Sequence, residues 1–104
     1  MKELVSLSGL EKAADTLETI EILESPVEDV SSFGIVVYKK LQTLKMSTKY
    51  KLFHLTKLHF PMLKKIIINK SRIRSIECLR NLNHLEYIDL GYNYIMSMEP
   101  LRDL

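Results

Sequence analysis

Two consecutive stretches of this chain, residues 63–82 and 85–104, carry apolar residues at matching positions. The second stretch follows the pattern L-x-x-L-x-L-x-x-N, after which an apolar residue recurs at about every third position. Its apolar and polar landmarks are Leu85, Ile88, Leu90, Asn93, Ile95, Met98, Leu101 and Leu104, and those of the first stretch are Leu63, Ile66, Ile68, Ser71, Ile73, Ile76, Leu79 and Leu82. A fixed period of this length is typical of a solenoid, in which each repeat stacks on the next.

Less regular copies of the pattern precede these two. Their strand positions are Leu17, Ile20 and Ile22 in one copy and Leu41, Leu44 and Met46 in the other. One extra residue near positions 49–51 restores the spacing, with Leu52, Leu55 and Leu58 as the inward residues. The sequence therefore predicts one array over residues 1–104, made of a half repeat (1–16) and four repeats (17–40, 41–62, 63–84 and 85–104).

The alternation within L-x-x-L-x-L predicts a short strand with one buried face in each repeat, over residues 17–23, 41–46, 63–68 and 85–90. Successive strands run in the same direction, so each connection must return across one face of the sheet. The three-residue spacing after each strand favours a short helical or 3₁₀ return segment. We therefore predict an α/β solenoid, a right-handed curved ribbon with about four parallel strands on its concave face.

These motifs resemble the leucine-rich repeat family. The period of about 22 residues is most similar to the intracellular class found in regulatory subunits of protein phosphatase 1, dynein light chains and a spliceosomal snRNP protein. The resemblance implies a scaffold that binds other proteins. It also implies that Asn93 satisfies backbone groups where the chain leaves the strand, and Ser25, Lys49 and Ser71 occupy the equivalent positions.

Composition is that of a folded domain, since 46% of residues are hydrophobic and 27% are charged. The net charge of +2 is too small to indicate a nucleic-acid or membrane partner by itself. No secretory signal pattern and no apolar run of transmembrane length is present, so we expect an intracellular protein. Because the array begins inside a repeat and has no polar C-terminal cap, we expect a fragment that can associate with itself through an open strand edge.

The residues that support catalysis or metal binding in other proteins do not form motifs here. The histidines, His54, His59 and His84, are scattered and have no carboxylates at ligand spacing. Cys78 is the only cysteine and stands one residue before an inward leucine, which favours a structural thiol over a nucleophile. The glycines are isolated and form no phosphate-binding loop. We therefore expect neither an enzyme nor a cofactor.

The candidate site is the set of strand side chains that point away from the core. These side chains form columns across the repeats, and the candidate protein-binding residues are Lys65, Ile67, Asn69, Tyr87, Asp89 and Tyr92. Tyrosine and exposed apolar residues are frequent anchors of protein interfaces. A plain solvated sheet face is the competing interpretation. The alternative partner is an RNA-containing complex on the basic residues, but these lack a recognition motif and interleaved aromatic residues in the sequence. That set is Lys45, Lys64, Lys65, Lys70, Arg72 and Arg74.

Overall fold

A computed structural model describes residues 10–28, 30–55, 57–80 and 82–102. Its strands are β1 (Thr19–Ile22), β2 (Thr43–Ser47), β3 (Lys65–Asn69) and β4 (Tyr87–Asp89). All three strand pairs are parallel, and the order in the sheet is the order in the chain. The chain is therefore a repeat solenoid of about three turns, and the prediction of four parallel strands is confirmed.

The register between strands follows the spacing read from the sequence. Ile20 is the partner of Leu44, Leu44 of Ile66, and Ile66 of Ile88. The step from β1 to β2 is thus slightly longer than the two later steps, which are equal. A shift by one residue would move every inward side chain to the solvent face, so the apolar pattern fixes this register.

The return segments contain short 3₁₀ helices at Leu10–Ala13, Ser31–Gly34, Glu77–Leu79 and Glu99–Leu101. The last two begin at equivalent positions of consecutive repeats, so the repeat governs the return path as well as the strands. No α-helix occurs in the described part of the chain. The helical component that we expected therefore consists there of 3₁₀ turns, which suit return segments of only a few residues.

The core lies between the sheet and the return segments. Strand residues alternate in burial, as in β1, where Ile20 and Ile22 are buried while Thr19 and Glu21 are exposed. The residues that are fully buried with the largest side chains are Tyr38, Phe33, Phe60, Leu41, Leu44, Met46, Leu52, Leu63, Ile66, Ile68, Ile73 and Ile76. Burial of Leu52 confirms that the second repeat contains one extra residue before its inward leucines.

Three aromatic rings fill the space beneath the irregular repeats. Phe33, Tyr38 and Phe60 form edge-to-face contacts with ring centroids 5.0, 5.5 and 5.6 Å apart. The amide of Tyr38 donates to the carbonyl of His59 over 2.9 Å, which joins the first two return segments. Tyr38 lies in the return segment of the first repeat, which is two residues longer than the later repeats, and its side chain is completely buried.

A row of polar side chains lies where each strand ends. Asn93 Nδ2 donates to the carbonyl of Ile68 over 2.7 Å, and its Oδ1 accepts from the amide of Ile73 over 3.2 Å. The Thr48 and Ser71 hydroxyl oxygens are 2.6 Å apart and hydrogen-bonded. Thr48, and not Lys49, therefore occupies the polar position of the second repeat, because a hydroxyl can be buried there while an ammonium group cannot.

The residue next to that row has a left-handed backbone in each repeat. Glu24, Lys70 and Tyr92 have φ values of 52°, 50° and 59°. The second repeat has two such residues in succession, Lys49 and Tyr50, with φ values of 53° and 60°. The extra residue of that repeat thus coincides with a second left-handed step, directly after the buried Thr48.

β4 is an edge strand like β1, because each has a hydrogen-bonded neighbour on only one side among the described residues. Ile88 and Leu90 were expected to be buried like their counterparts, yet both are half-buried. Residues 1–9 of the predicted half repeat and Leu104 of the last repeat lie outside the described residues.

Adjacent isoleucines in β3 provide a test of the inward face. We expect Ile68→Asn to lower the free energy of unfolding by about 3 kcal/mol or more, because it places an unpaired amide in a packed core. Ile67→Asn is the matched control on the solvent side and should change it by less than about 1 kcal/mol. Urea unfolding followed by circular dichroism measures both values, and equal effects would contradict the assigned faces.

The hydroxyl of Tyr38 is buried and has no hydrogen-bond partner in the described structure. An unpaired buried hydroxyl is unfavourable, since it has lost its hydrogen bonds to water. We expect Tyr38→Phe to raise the free energy of unfolding by about 1 kcal/mol, because the ring contacts remain. Tyr38→Leu, which removes the ring contacts, should destabilise the protein. A lower melting temperature for the phenylalanine variant would show that the hydroxyl contributes to stability.

Candidate functional site

The open sheet face consists of the strand side chains that point away from the core. The register places them in columns, one formed by Thr19, Thr43, Lys65 and Tyr87 and the next by Glu21, Lys45, Ile67 and Asp89. The structure therefore brings together four of the six candidate residues, on the neighbouring strands β3 and β4. These four are Lys65, Ile67, Tyr87 and Asp89.

Lys65 and Tyr87 form a direct pair on this face. The Lys65 Nζ lies 5.0 Å from the centroid of the Tyr87 ring, within the range of a cation–π contact. The tyrosine side chain is nevertheless 51% exposed. Its position is thus fixed on one side by the ammonium group, while the rest of the ring remains available to a partner.

Asp89 and Ile67 lie beside that pair. The Asp89 Oδ1 accepts a hydrogen bond from the amide of Gly91 over 3.0 Å, which holds the carboxylate at the end of β4. A Cβ atom at Gly91 would lie 3.4 Å from the same oxygen, so the absence of a side chain at Gly91 leaves space beside the carboxylate. Ile67 is half-buried although it points outward. The face therefore combines a cation, an aromatic ring, an apolar side chain and a carboxylate within two strands.

Asn69 and Tyr92 occupy different positions. Asn69 is the last residue of β3, is half-buried and pairs with Ser47 of β2. Tyr92 follows β4 in a turn and is 73% exposed. Because Tyr92 is not a strand residue, it lies beyond the columns and not within them.

The acidic end of the sheet is linked to the basic middle through one lysine. Lys70 Nζ is 3.2 Å from Glu24 Oε1, and the Ser47 hydroxyl donates to the same oxygen over 3.0 Å. The hydrogen bonds from Ser47 and then from Lys70 lower the pKa of Glu24 below its usual value. This exposed cluster connects the ends of three repeats, which limits the freedom of Lys70.

A groove of about 610 Å³ runs along the return side and is lined mainly by apolar residues. Val37, Leu55 and Pro61 contribute to it, together with the free thiol of Cys78. Burial raises the pKa of Cys78 to about 12. The thiol is therefore protonated near neutral pH.

The structure shows a second surface that the sequence pattern did not predict. We name this surface the lateral face. It comprises the exposed side chains of residues 50–54, 70–74 and 92–96, which follow the strands in three consecutive repeats. The amide of Arg72 donates to the carbonyl of Leu52, and the amide of Tyr94 donates to that of Ile73, so these segments lie side by side. In the sequence, this face could have been found by aligning the segments that follow the strands in successive repeats, in addition to the strands themselves.

Metal-binding clusters and membrane-spanning helices were sought among the residues that the structure describes. Within the described ranges, no set of three or more histidine, cysteine, aspartate or glutamate side chains is grouped closely enough to hold a metal ion. Of the helices that the structure describes, none has the length and apolar character needed to cross a membrane.

Comparison with known proteins yielded no relative. No family model and no curated protein matches this chain. The resemblance to the leucine-rich repeat class therefore depends on the spacing of residues alone.

The thiol of Cys78 offers a test of the return-side packing. Burial raises the pKa of Cys78 to about 12, so at pH 8 the folded protein carries far less thiolate than an ordinary cysteine with a pKa of about 8.5. We expect Ellman's reagent to react with the folded protein at least tenfold more slowly than with the urea-unfolded chain. Equal rates would show that the thiol is accessible and that its environment is not apolar.

Proposed function

We propose that this chain is a non-catalytic scaffold of the leucine-rich repeat type that binds a protein partner on its open sheet face. The observation that supports this proposal is the pairing of Lys65 with Tyr87 next to Ile67 and Asp89. In the same proposal, the open sheet face is the concave surface of a curved ribbon, and the protein acts inside the cell.

Three features support the leucine-rich repeat assignment. Strands recur at one constant spacing from β2 to β4, the regular part of the chain. Inward aliphatic side chains fill equivalent positions in successive repeats. Asn93 hydrogen-bonds the backbone of its own repeat at Leu90 and that of the preceding repeat at Ile68 and Ile73, a role that the resemblance implies for it. Narrow strand spacing opposed to bulkier return segments produces curvature with the sheet inside, which favours the concave assignment.

The chemistry of the open sheet face suits a protein segment better than a small ligand. Protein interfaces combine aromatic anchors with a few charged groups, and their central residues carry most of the binding free energy. Tyr87 has the exposure and rigidity of such an anchor, and Lys65 and Asp89 offer opposite charges on either side. We propose an extended peptide segment as the partner, with an apolar side chain against Tyr87 and an acidic group near Lys65.

Substitutions on the open sheet face test this proposal. Tyr87→Ala, and separately the double change Lys65→Gln with Asp89→Asn, should each reduce retention of the partner at least tenfold, because truncation of an anchor commonly costs about 2 kcal/mol. Asparagine at position 89 retains the acceptor for the Gly91 amide. The immobilised wild-type protein first captures a partner from lysate, and calorimetry with that purified partner then measures the dissociation constants.

The matched control lies on the return side. Arg102→Gln changes an exposed residue there without touching the sheet, and should leave binding unaltered. Arg80 is unsuitable because it forms ion pairs with Glu77 and Glu99. A partner that stays bound to the sheet variants, or leaves only on Arg102→Gln, would show that the open sheet face is a solvated surface.

A further inference from the structure

The lateral face has a basic character that its three segments share. Residues 50–54, 70–74 and 92–96 include Lys51, Lys70, Arg72 and Arg74 and no acidic residue. Lys70 is paired with Glu24, whereas Lys51, Arg72 and Arg74 form no ion pair among the described residues. Three cations in neighbouring repeats are therefore available to an anionic ligand, and this surface is independent of the open sheet face.

Aromatic side chains alternate with these cations. Arg72 Cζ lies 5.3 Å from the ring centroid of Phe53, so the guanidinium group covers one side of that ring. Phe53 is 48% exposed and Tyr94 is 56% exposed. The sequence indicated no aromatic residues among the basic ones, because Phe53 and Tyr94 are separated from Arg72 along the chain. The solenoid places them in adjacent repeats and supplies the missing feature.

A shallow cleft opens between the two arginines. It has a volume of about 270 Å³ and is lined by Phe53, His54, Arg72 and Arg74. An aromatic wall and two guanidinium groups around one cleft suit a flat, aromatic, anionic ligand better than an acidic peptide. A carboxylate would use the guanidinium groups, but it would leave the exposed ring surfaces of Phe53 and Tyr94 without a partner.

We propose that the lateral face binds single-stranded nucleic acid, with bases stacked on Phe53 and Tyr94 and phosphates held by Lys51, Arg72 and Arg74. A basic surface that follows the backbone, together with aromatic rings that stack on bases, is how proteins bind single strands without reading sequence. Duplexes are poor ligands for such a surface, since their bases are already stacked and paired.

The size and direction of the site follow from the repeats. From the second repeat to the fourth is two strand spacings, or about 10 Å. That distance spans only a few nucleotides of a single strand. In the first repeat the corresponding segment carries Glu24 and Glu28, whose charge repels a phosphate chain. The strand is therefore expected to cross the last three repeats and to stop short of the first.

Fluorescence anisotropy with labelled U₁₀ RNA, dT₁₀ DNA and a ten-base-pair duplex tests the proposal, at salt concentrations between about 50 and 200 mM. We expect the single strands to bind more tightly than the duplex. Tyr94→Ala should weaken binding at least about fivefold through lost stacking. Replacing Arg72 and Arg74 with glutamine should lower the slope of log K against log salt by about 1.4, since each contact to a single strand contributes about 0.7.

Matched controls separate this site from general charge and from the open sheet face. Lys12→Gln with Lys40→Gln removes the same charge from exposed positions elsewhere and should leave the salt slope within experimental error. Tyr87→Ala, an equally exposed tyrosine on the sheet, should leave RNA binding unchanged while it reduces binding of the protein partner. Circular dichroism melting of each variant establishes that it is folded.

Several results would overturn the proposal. Unmeasurable binding of both single strands at about 50 mM salt, duplex binding as tight as single-strand binding, or an unaltered affinity for Tyr94→Ala would each do so. Binding of poly-glutamate in preference to U₁₀ would identify the lateral face as a site for acidic protein. Equal binding of RNA and DNA supports a site that reads backbone and stacking alone, whereas preference for RNA supports a site that also contacts the ribose hydroxyl.

Discussion

The backbone groups at the ends of the strands constrain this fold more than any single apolar contact. Each chain segment leaves the sheet inside the protein, where unpaired carbonyl and amide groups are unfavourable. Asn93 meets this requirement with one side chain that bonds both Ile68 and Ile73. Thr48 Oγ1 accepts from the amide of Leu52, and the Ser71 hydroxyl donates to the carbonyl of Asn69. Asn93 also donates to the carbonyl of Leu90 in its own repeat, so adjacent repeats are linked there by Asn93 and, one repeat earlier, by the bond between the Thr48 and Ser71 hydroxyls.

This constraint explains which parts of the fold could be predicted from the sequence. Strand positions, register and inward residues follow from apolar spacing, and the structure confirms them for Ile20, Leu44 and Ile66. The polar position of the second repeat could not be found by counting, because the counted position is Lys49 and the buried hydroxyl belongs to Thr48. Two successive left-handed residues absorb the difference, and no apolar pattern encodes a backbone angle.

The sequence pattern predicted the open sheet face but not the lateral face, for a related reason. Residues of the open sheet face alternate with buried residues on the same strands, so the register that places the core also places Lys65 beside Tyr87. The lateral face lies on the segments that follow the strands, where the repeats differ in length. Phe53 and Arg72 are brought together only after the extra residue of the second repeat has been placed. The pattern therefore indicated the first surface, while the second required the three-dimensional structure.

The two proposed binding surfaces use different parts of each repeat. Strand side chains form the open sheet face, and the segments after the strands form the lateral face. Most of the positive charge of the lateral face is on Lys51, Arg72 and Arg74. Lys70 lies at the boundary between the two faces, and its ion pair with Glu24 holds it against the first repeat. A ligand on the lateral face would therefore compete with Glu24 for Lys70, without disturbing the pair formed by Lys65 and Tyr87. A protein and a nucleic acid bound to these faces would contact the same repeats from different sides.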